Sequence, residues 1–258
     1  MPRLIFITGA SSGIGQALAW RYYQAGFSLA LVARRTDEIQ TWATARALDS
    51  SRYRIYRADV AVIDSIVAAA LQCLQDQGVP DIVIANAGVS IGVDTALRDD
   101  LDVLARTFAI NNVGLAATFH AFVAPMSHRG SGALVGIGSV AGVRGLPGHG
   151  AYCASKAGVI SYCESLRGEL RNVGVKVVTI CPGYIDTPLT KKNRYAMPFL
   201  MQADVFADKA YAAIDVGSSY RVIPWQMGWV AKGLRLLPNA LLDKVLSGRP
   251  RKRRITGD

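Results

Sequence analysis

Short apolar runs alternate with stretches of helical periodicity along this chain. Leu4–Thr8 reads as a strand, and Ile14–Ala25 as a helix closed by Gly26. Leu29–Val32 is a short apolar run, followed by a helical pattern over Glu38–Leu48. A strand over Tyr53–Arg57 and a helix over Ile63–Gln77 come next. Asp81–Ala85 is strand-like, and one long helix is expected over Leu101–Met126. Ala133–Ile137 repeats the strand pattern and Ala151–Arg171 the helical one. Val175–Ile180 is β-branched and apolar, and Tyr220–Ile223 is the last strand candidate. Strands that are nearly all apolar, set between amphipathic helices, imply a parallel sheet covered on both faces. Right-handed crossovers then give an α/β, doubly wound Rossmann-type fold with a central, mostly parallel sheet.

No repeat, low-complexity segment or Pro/Ser-rich linker divides the chain. Residues 1–224 are expected to form one dinucleotide-binding and catalytic domain. Residues 225–258 are expected to form a C-terminal amphipathic helical extension and basic tail, part of the same domain or an appendage to it. Pro224 and Pro238 punctuate it and predict two short amphipathic helices, carrying Trp225, Met227, Trp229, Leu234, Leu241 and Leu246. Packing against the domain or against another copy explains such helices. A foot on a membrane surface explains them too.

The 258 residues are 51% hydrophobic and 19% charged, enough for one sizeable core. Cys73, Cys153, Cys163 and Cys181 have no C-x-x-C spacing and read as small, reduced apolar residues, with no metal site. The first strand starts too early for a leader upstream of it, and no stretch approaches ~18 consecutive apolar residues. A cytoplasmic protein is expected, with membrane-surface association as the variant. Net charge is +10, and much of it falls in Arg249-Pro250-Arg251-Lys252-Arg253-Arg254. That tail reads as a solvated end or as an electrostatic contact for anionic lipid or nucleic acid. No signature for specific nucleic-acid recognition accompanies it.

The chemistry-bearing clusters all follow strands. Gly9, Gly13 and Gly15, with Ser11, Ser12 and Ile14, make a glycine turn between the first strand and the first helix. Such a turn lets a pyrophosphate approach the backbone, and the helix N-terminus favours its charge. Arg34 and Arg35 follow the second strand, where a dinucleotide fold often carries an acid for the ribose hydroxyl. Guanidinium groups there suit a 2′-phosphate, so NADP(H) is expected over NAD(H). Asp59 and Val60 follow the third strand; Asp59 either accepts a hydrogen bond near adenine or caps a helix. Asn86, Ala87 and Gly88 follow the fourth, Ser139 the fifth, and Pro182 and Gly183 the sixth. In open α/β sheets the ligand lies beyond this carboxyl edge.

Tyr152 and Lys156 are four residues apart on one predicted helix and so share a face. Acid–base work near neutrality needs a tyrosine pKa lowered by ~3 units. An ammonium ~5 Å away supplies ~3 kcal/mol toward this at an effective dielectric of about 20. Ser139 can donate to a developing alkoxide.

These residues together resemble the short-chain dehydrogenase/reductase family. The matching segments are Thr8–Gly15, Asn86-Ala87-Gly88, Asn111, Ser139, Tyr152-Cys153-Ala154-Ser155-Lys156, and Pro182-Gly183 with Thr187. The resemblance implies that Tyr152 exchanges a proton with the substrate oxygen. Lys156 would bind the nicotinamide ribose and lower the Tyr152 pKa, and Ser139 would orient the oxygen. Asn111 would hold a relay water beyond Lys156. Asn86-Ala87-Gly88 would line the cofactor, and Pro182, Gly183, Ile185 and Thr187 would lie along the carboxamide. It also implies a homodimer or homotetramer, built through Leu101–Met126 and Ala151–Arg171. Many NADP-using relatives carry a basic residue where this chain has Ser12, which leaves phosphate recognition to Arg34 and Arg35.

A substrate loop is expected over Asp186–Val205, with Lys191, Lys192, Arg194, Tyr195, Met197, Phe199 and Met201. The expected activity is an NADPH-dependent carbonyl reductase acting on an apolar ketone or aldehyde. The alternative is a non-catalytic NADP-binding sensor or membrane-peripheral scaffold.

Overall fold

The computed structural model describes residues 3–191, 193, 195–248, 252 and 254. Lys192, Arg194, Arg249, Pro250, Arg251 and Arg253, named above, lie outside the described residues.

Seven strands form one sheet in which every pairing is parallel. They are β1 (Leu4–Thr8), β2 (Ser28–Ala33), β3 (Tyr53–Arg57), β4 (Ile82–Ala85), β5 (Gly132–Ile137), β6 (Val175–Pro182) and, later in the chain, the edge strand Tyr220–Ile223. The order across the sheet places β3, β2 and β1 to one side and β4, β5, β6 and the edge strand to the other. The chain therefore reverses direction between β1 and β4, and the crevice for a ligand opens there.

Alternation along β1 shows why both faces are covered. Ile5 and Ile7 pack with α1 (Gly13–Gln24), on which Ala17, Leu18 and Tyr22 are buried. Leu4 and Phe6 point the other way, into the cluster with Phe119 and Phe122. The Phe6 and Phe122 rings lie 4.8 Å apart. Each fully buried side chain of this size contributes about 1.5–3 kcal/mol, so a strand two-sided in this way is fixed in register. Four further helices complete the layers in chain order: α2 (Thr36–Ala45), α3 (Ile63–Gln77), α4 (Arg98–Phe108) and α5 (Gly114–Arg129). The helix α6 (Gly150–Glu169) follows β5.

The single long helix expected over Leu101–Met126 is corrected. Its run extends from Arg98 to Arg129, and a π-turn at Ala109–Val113 separates α4 from α5. The expectation that no stretch nears a membrane-spanning length also needs correction, since this helical run is 32 residues long and apolar enough by composition. Its Phe119, Phe122 and Met126 are fully buried in the core cluster, as in a core helix.

Beyond β6 the expected loop over Asp186–Val205 is shorter and better ordered than the sequence pattern implies. β7 (Ile185–Asp186) pairs with β8 (Met201–Gln202), and α7 (Ala203–Asp215) starts at once. The helix was not expected, although Phe206, Ala207, Ala210, Ala213 and Ile214 are buried at helical spacing against the α1 side of the sheet. The edge strand Tyr220–Ile223 is β9. Then α8 (Trp225–Leu236) and α9 (Asn239–Leu246) confirm the two amphipathic helices. All four cysteines are buried and free.

Candidate active site

The glycine turn between β1 and α1 leaves main chain where side chains cannot fit. Gly9 has φ +69°, and a Cβ on Gly15 would lie 2.2 Å from the Gly9 carbonyl oxygen. Asn86 holds the turn down: its Nδ2 donates to Thr8 O at 2.9 Å and to Gly9 O at 3.3 Å. Thr8 Oγ1 in turn accepts from the Asn86 and Ala87 N–H groups at 3.1 and 3.2 Å. The N-cap of α1 is Ser12, with no side-chain cap, so the first-turn N–H groups face the groove unaided. These groups suit a pyrophosphate.

A groove of 260 Å³ starts at Arg34, Arg35 and Asp59. It passes Gly9, Ser11, Ser12, Gly13 and Ile14, and then Val60, Asn86, Ala87 and Gly88. It ends at Ser139, Tyr152, Lys156, Pro182, Gly183, Ile185 and Thr187. All the expected cofactor residues except Gly15, which is buried beneath the turn, thus line one surface. Arg34 Nη1 is 3.6 Å from Asp59 Oδ2. Arg35 pairs with Glu38 at 2.9 Å and reaches Ser11 Oγ at 3.4 Å. Asp59 does not cap α3, whose N-cap is Val62; its Oδ1 accepts from Ala61 N at 3.0 Å in the turn ahead of that helix, and it lines the groove.

The catalytic candidates come from three elements. Ser139 ends β5 and caps a 3₁₀ turn at Val140–Gly142; its Oγ accepts from Ala141 N at 3.1 Å and the hydroxyl also hydrogen-bonds Tyr152. Tyr152 and Lys156 stand one turn apart near the start of α6. Lys156 Nζ lies 6.0 Å from the centroid of the Tyr152 ring and donates to Ile137 O at 2.7 Å.

Electrostatics in this corner differ from the expectation. Tyr152 is pushed up to about 12, first by burial and then by neighbouring Cys153, Cys181 and Tyr184, while the Ser139 hydrogen bond opposes this. Lys156 is pushed down to about 8 by burial. The reason is desolvation, which disfavours both charged forms in the same corner.

Asn111 is placed by the π-turn, a distortion often found at functional sites. Its Oδ1 accepts from Val89 N at 2.9 Å, and its Nδ2 donates to Val89 O at 3.0 Å and to Ser155 Oγ at 2.9 Å. Ser155 Oγ passes the chain on to Tyr152 O at 2.8 Å. Ser155 was not singled out as a site residue; its place beside Lys156 within Tyr-x-x-x-Lys was the available signal, and the structure buries it fully. A Cβ on Gly88 would lie 3.2 Å from Asn111 Oδ1 and 3.4 Å from Lys156 Nζ. Glycine therefore keeps open the space on which that oxygen and that nitrogen converge.

A second cavity of about 860 Å³ meets the groove at Ser139, Tyr152, Gly183, Leu189 and Thr190, which line both. Tyr184, Tyr195 and Met197 form part of its wall, and Met227, Val230, Ala231, Leu234 and Leu246 are contributed by α8 and α9. The C-terminal extension thus builds the cavity, a role the sequence pattern did not reveal. Arg144 ties it down, donating to Leu237 O at 3.3 Å and Asn239 Oδ1 at 2.8 Å. Arg254 of the tail pairs with Asp100 on α4 at 2.6 and 3.0 Å. Of the expected loop residues, Phe199 stays exposed.

A glycine-lined dinucleotide groove that opens onto an apolar cavity at a Ser/Tyr/Lys corner defines a nicotinamide-dependent oxidoreductase. The short chain dehydrogenase family profile matches residues 3–197. An uncharacterized oxidoreductase of Myxococcus xanthus is 35% identical over 241 residues, covering 93% of this chain and 95% of the relative. A protein of Arabidopsis thaliana named 11-beta-hydroxysteroid dehydrogenase-like 2 is 30% identical, covering 88% and 75%. Among solved structures, a Sphingobium yanoikuyae short-chain dehydrogenase in complex with NADPH superposes with a TM-score of 0.79 at 25% identity, over 100% and 99% of the two chains. A Burkholderia phymatum relative in complex with NAD gives 0.81 at 24% identity, over 99% and 98%. The chain belongs to the short-chain dehydrogenase/reductase family and is an NAD(P)-dependent oxidoreductase of that family.

Proposed function

We propose that this protein is an NADPH-dependent reductase that interconverts an apolar ketone or aldehyde and its alcohol, with Ser139, Tyr152 and Lys156 as catalytic residues. One observation carries this reading: Ser139 and Tyr152 line both the cofactor groove and the 860 Å³ cavity. A substrate oxygen seated at their hydroxyls brings its carbon to the junction of the two spaces. The nicotinamide, when bound, supplies the hydride to that carbon, or removes it in the reverse direction.

The chain's own residues manage the oxygen and its proton. Tyr152 gives its hydroxyl proton to the oxygen as hydride arrives, and takes it back during oxidation. Ser139 donates to the same oxygen; its Oγ accepts from Ala141 N, and the hydroxyl that bonds Tyr152 at rest turns its proton to the substrate. The phenolate left on Tyr152 gains from the Lys156 ammonium, which Ile137 O holds in place. A water in the gap above Gly88 would link Lys156 to Asn111 Oδ1 and refill the proton. Asn111 is held so firmly by Val89 and Ser155 that it acts as a fixed post for that water.

Support for NADP(H) over NAD(H) comes from Arg35, which reaches across the groove to Ser11. Its guanidinium and the turn hydroxyl flank the place a 2′-phosphate would take. Arg34 stands behind it, paired with Asp59. A homodimer or homotetramer through α4, α5 and α6 is the matching assembly, with Leu101, Leu104, Val113 and Tyr162 exposed there. Residues 1–224 would be the catalytic domain, and the extension an appendage that completes its cavity. The outer face of that extension shows Trp225 at 66%, Trp229 at 67% and Leu236 at 84% exposure, beside Lys232, which lies 5.1 Å from the Trp229 ring. Apolar residues interleaved with cations suit an anionic bilayer surface.

Ketone-dependent oxidation of NADPH tests the enzyme reading. Wild-type protein that binds NADPH yet leaves every ketone in a broad panel unreduced would favour the sensor or scaffold instead.

A further inference from the structure

The wall of the substrate cavity has a sign. Arg144 and Lys252 both line it, and no Asp or Glu does among its described lining residues. Lys252 is 9% exposed, a cation drawn in from the tail onto a largely apolar surface. It donates to Asn193 Oδ1, on the loop between β7 and β8. Arg144 is tied to the extension through two neutral oxygens, Leu237 O and Asn239 Oδ1. Among the described lining residues, His149, Tyr152 and Tyr195 do not offset these charges. His149 is pushed down by burial and then by Lys252, so it stays neutral at physiological pH. Burial pushes Tyr152 and Tyr195 upward, so both stay neutral phenols there.

A space of this volume exceeds what a small ketone fills, and falls in the range of sites that enclose a whole drug-sized molecule. Its apolar lining rewards a hydrocarbon body. Two cations on such a wall favour one negative group on that body, because a charge pair out of bulk water attracts strongly. We propose that this cavity takes an amphipathic monocarboxylate: a hydrocarbon of fatty-chain or fused-ring size that carries the reacting carbonyl or alcohol and one carboxylate, with Arg144 and Lys252 receiving the carboxylate. This deepens the reductase reading by naming its substrate class, and it rests on that reading for the reacting carbonyl alone. Arg144 and Lys252 are specificity residues; neither lies at the Ser139–Tyr152 corner.

Calorimetry on the full-length protein with NADPH tests the site without turnover, using decanoate and decan-1-ol as probes. Decanoate should bind at least about tenfold more tightly than decan-1-ol, the scale of one charge-assisted contact. Arg144→Gln and Lys252→Gln should each weaken decanoate by about tenfold or more and leave decan-1-ol and NADPH unchanged. Arg144→Lys, which keeps the charge, should retain most of the preference and guards against a folding defect in the glutamine variant. Equal affinity for the two probes, or equal losses for both in each variant, would overturn the proposal. The two readings fail separately. Decanoate binding without reduction of any ketone would uphold the anion site and sink the reductase. Ketone reduction with no preference for an oxo-acid over its methyl ester would sink the anion site alone.

Discussion

Lys156 Nζ lies 6.0 Å from the centroid of the Tyr152 ring, one helical turn along α6. The two groups titrate against each other's interest. Burial raises the phenol to about 12 and lowers the ammonium to about 8, so each resists the charge that catalysis needs. Proton transfer therefore depends on a further positive charge beside the phenol, which oxidised nicotinamide brings when bound.

The pH dependence of alcohol oxidation follows from this. Oxidation needs the phenolate, so kcat/KM with NADP should climb with pH and level off at an apparent pKa below 12. Lys156→Met removes the ammonium and should move that limb upward, toward the value that burial imposes. A pH series of initial rates for both proteins reads the shift. An unchanged limb would show that Lys156 does not act on the phenol.

Arg35→Ala should raise the KM for NADPH about ten- to a hundredfold, the worth of a lost charge-assisted contact. The KM for NADH should barely move, because no 2′-phosphate is involved. Arg34→Ala should act more weakly, since Arg34 sits 3.6 Å from Asp59 and supports that carboxylate. Steady-state kinetics with both coenzymes separate these effects.

Asp100 links the tail to α4 and should make the fold acid-sensitive. It is 2% exposed, and hydrogen bonds from Arg254 and from Asp94 N hold its carboxyl below the usual carboxylate value. A lowered folded-state pKa contributes stability that is complete above the unfolded value and is lost as pH falls through the folded one. Thermal melts from neutral pH downward should show this loss in wild type. Asp100→Asn should start less stable and lose less on acidification, since its amide has no charge to surrender.

If α8 and α9 rest on lipid, full-length protein should co-sediment with phosphatidylglycerol vesicles and be released by salt. Replacing Trp225 and Trp229 with Ser should abolish most of this, because both rings project from the surface. Unchanged co-sedimentation, or loss of a dimer in the variant without any lipid effect, would assign that face to another copy of the chain.

The legible parts of this protein are those written at short range. β1 and its glycine turn are one uninterrupted stretch, and Tyr152 and Lys156 are fixed by the geometry of a single helix. The π-turn was hidden because nothing local demands it: Asn111 is turned inward by Val89 and Ser155, which are 22 and 44 residues away. The cavity was hidden for the same reason. Arg144 meets Asn239 across 95 positions, and Lys252 meets Asn193 across 59. The burial that raises Tyr152 was not legible, because spacing reports a neighbouring charge, whereas desolvation depends on everything packed around the ring. Helix α7 was readable: its buried residues recur at helical spacing, in a stretch just past the expected loop that was given no element.

The most direct measurement compares wild type and Tyr152→Phe in ketone-dependent NADPH oxidation, with the NADPH dissociation constant measured on the same samples. Removing the Tyr152 hydroxyl, which borders both groove and cavity, should cost on the order of 10²–10⁴ in kcat, the usual worth of a positioned acid–base group. NADPH affinity should stay within about twofold, since the ring remains in place. Equal rates in the two proteins would contradict proton transfer by Tyr152, and with it the account of this site.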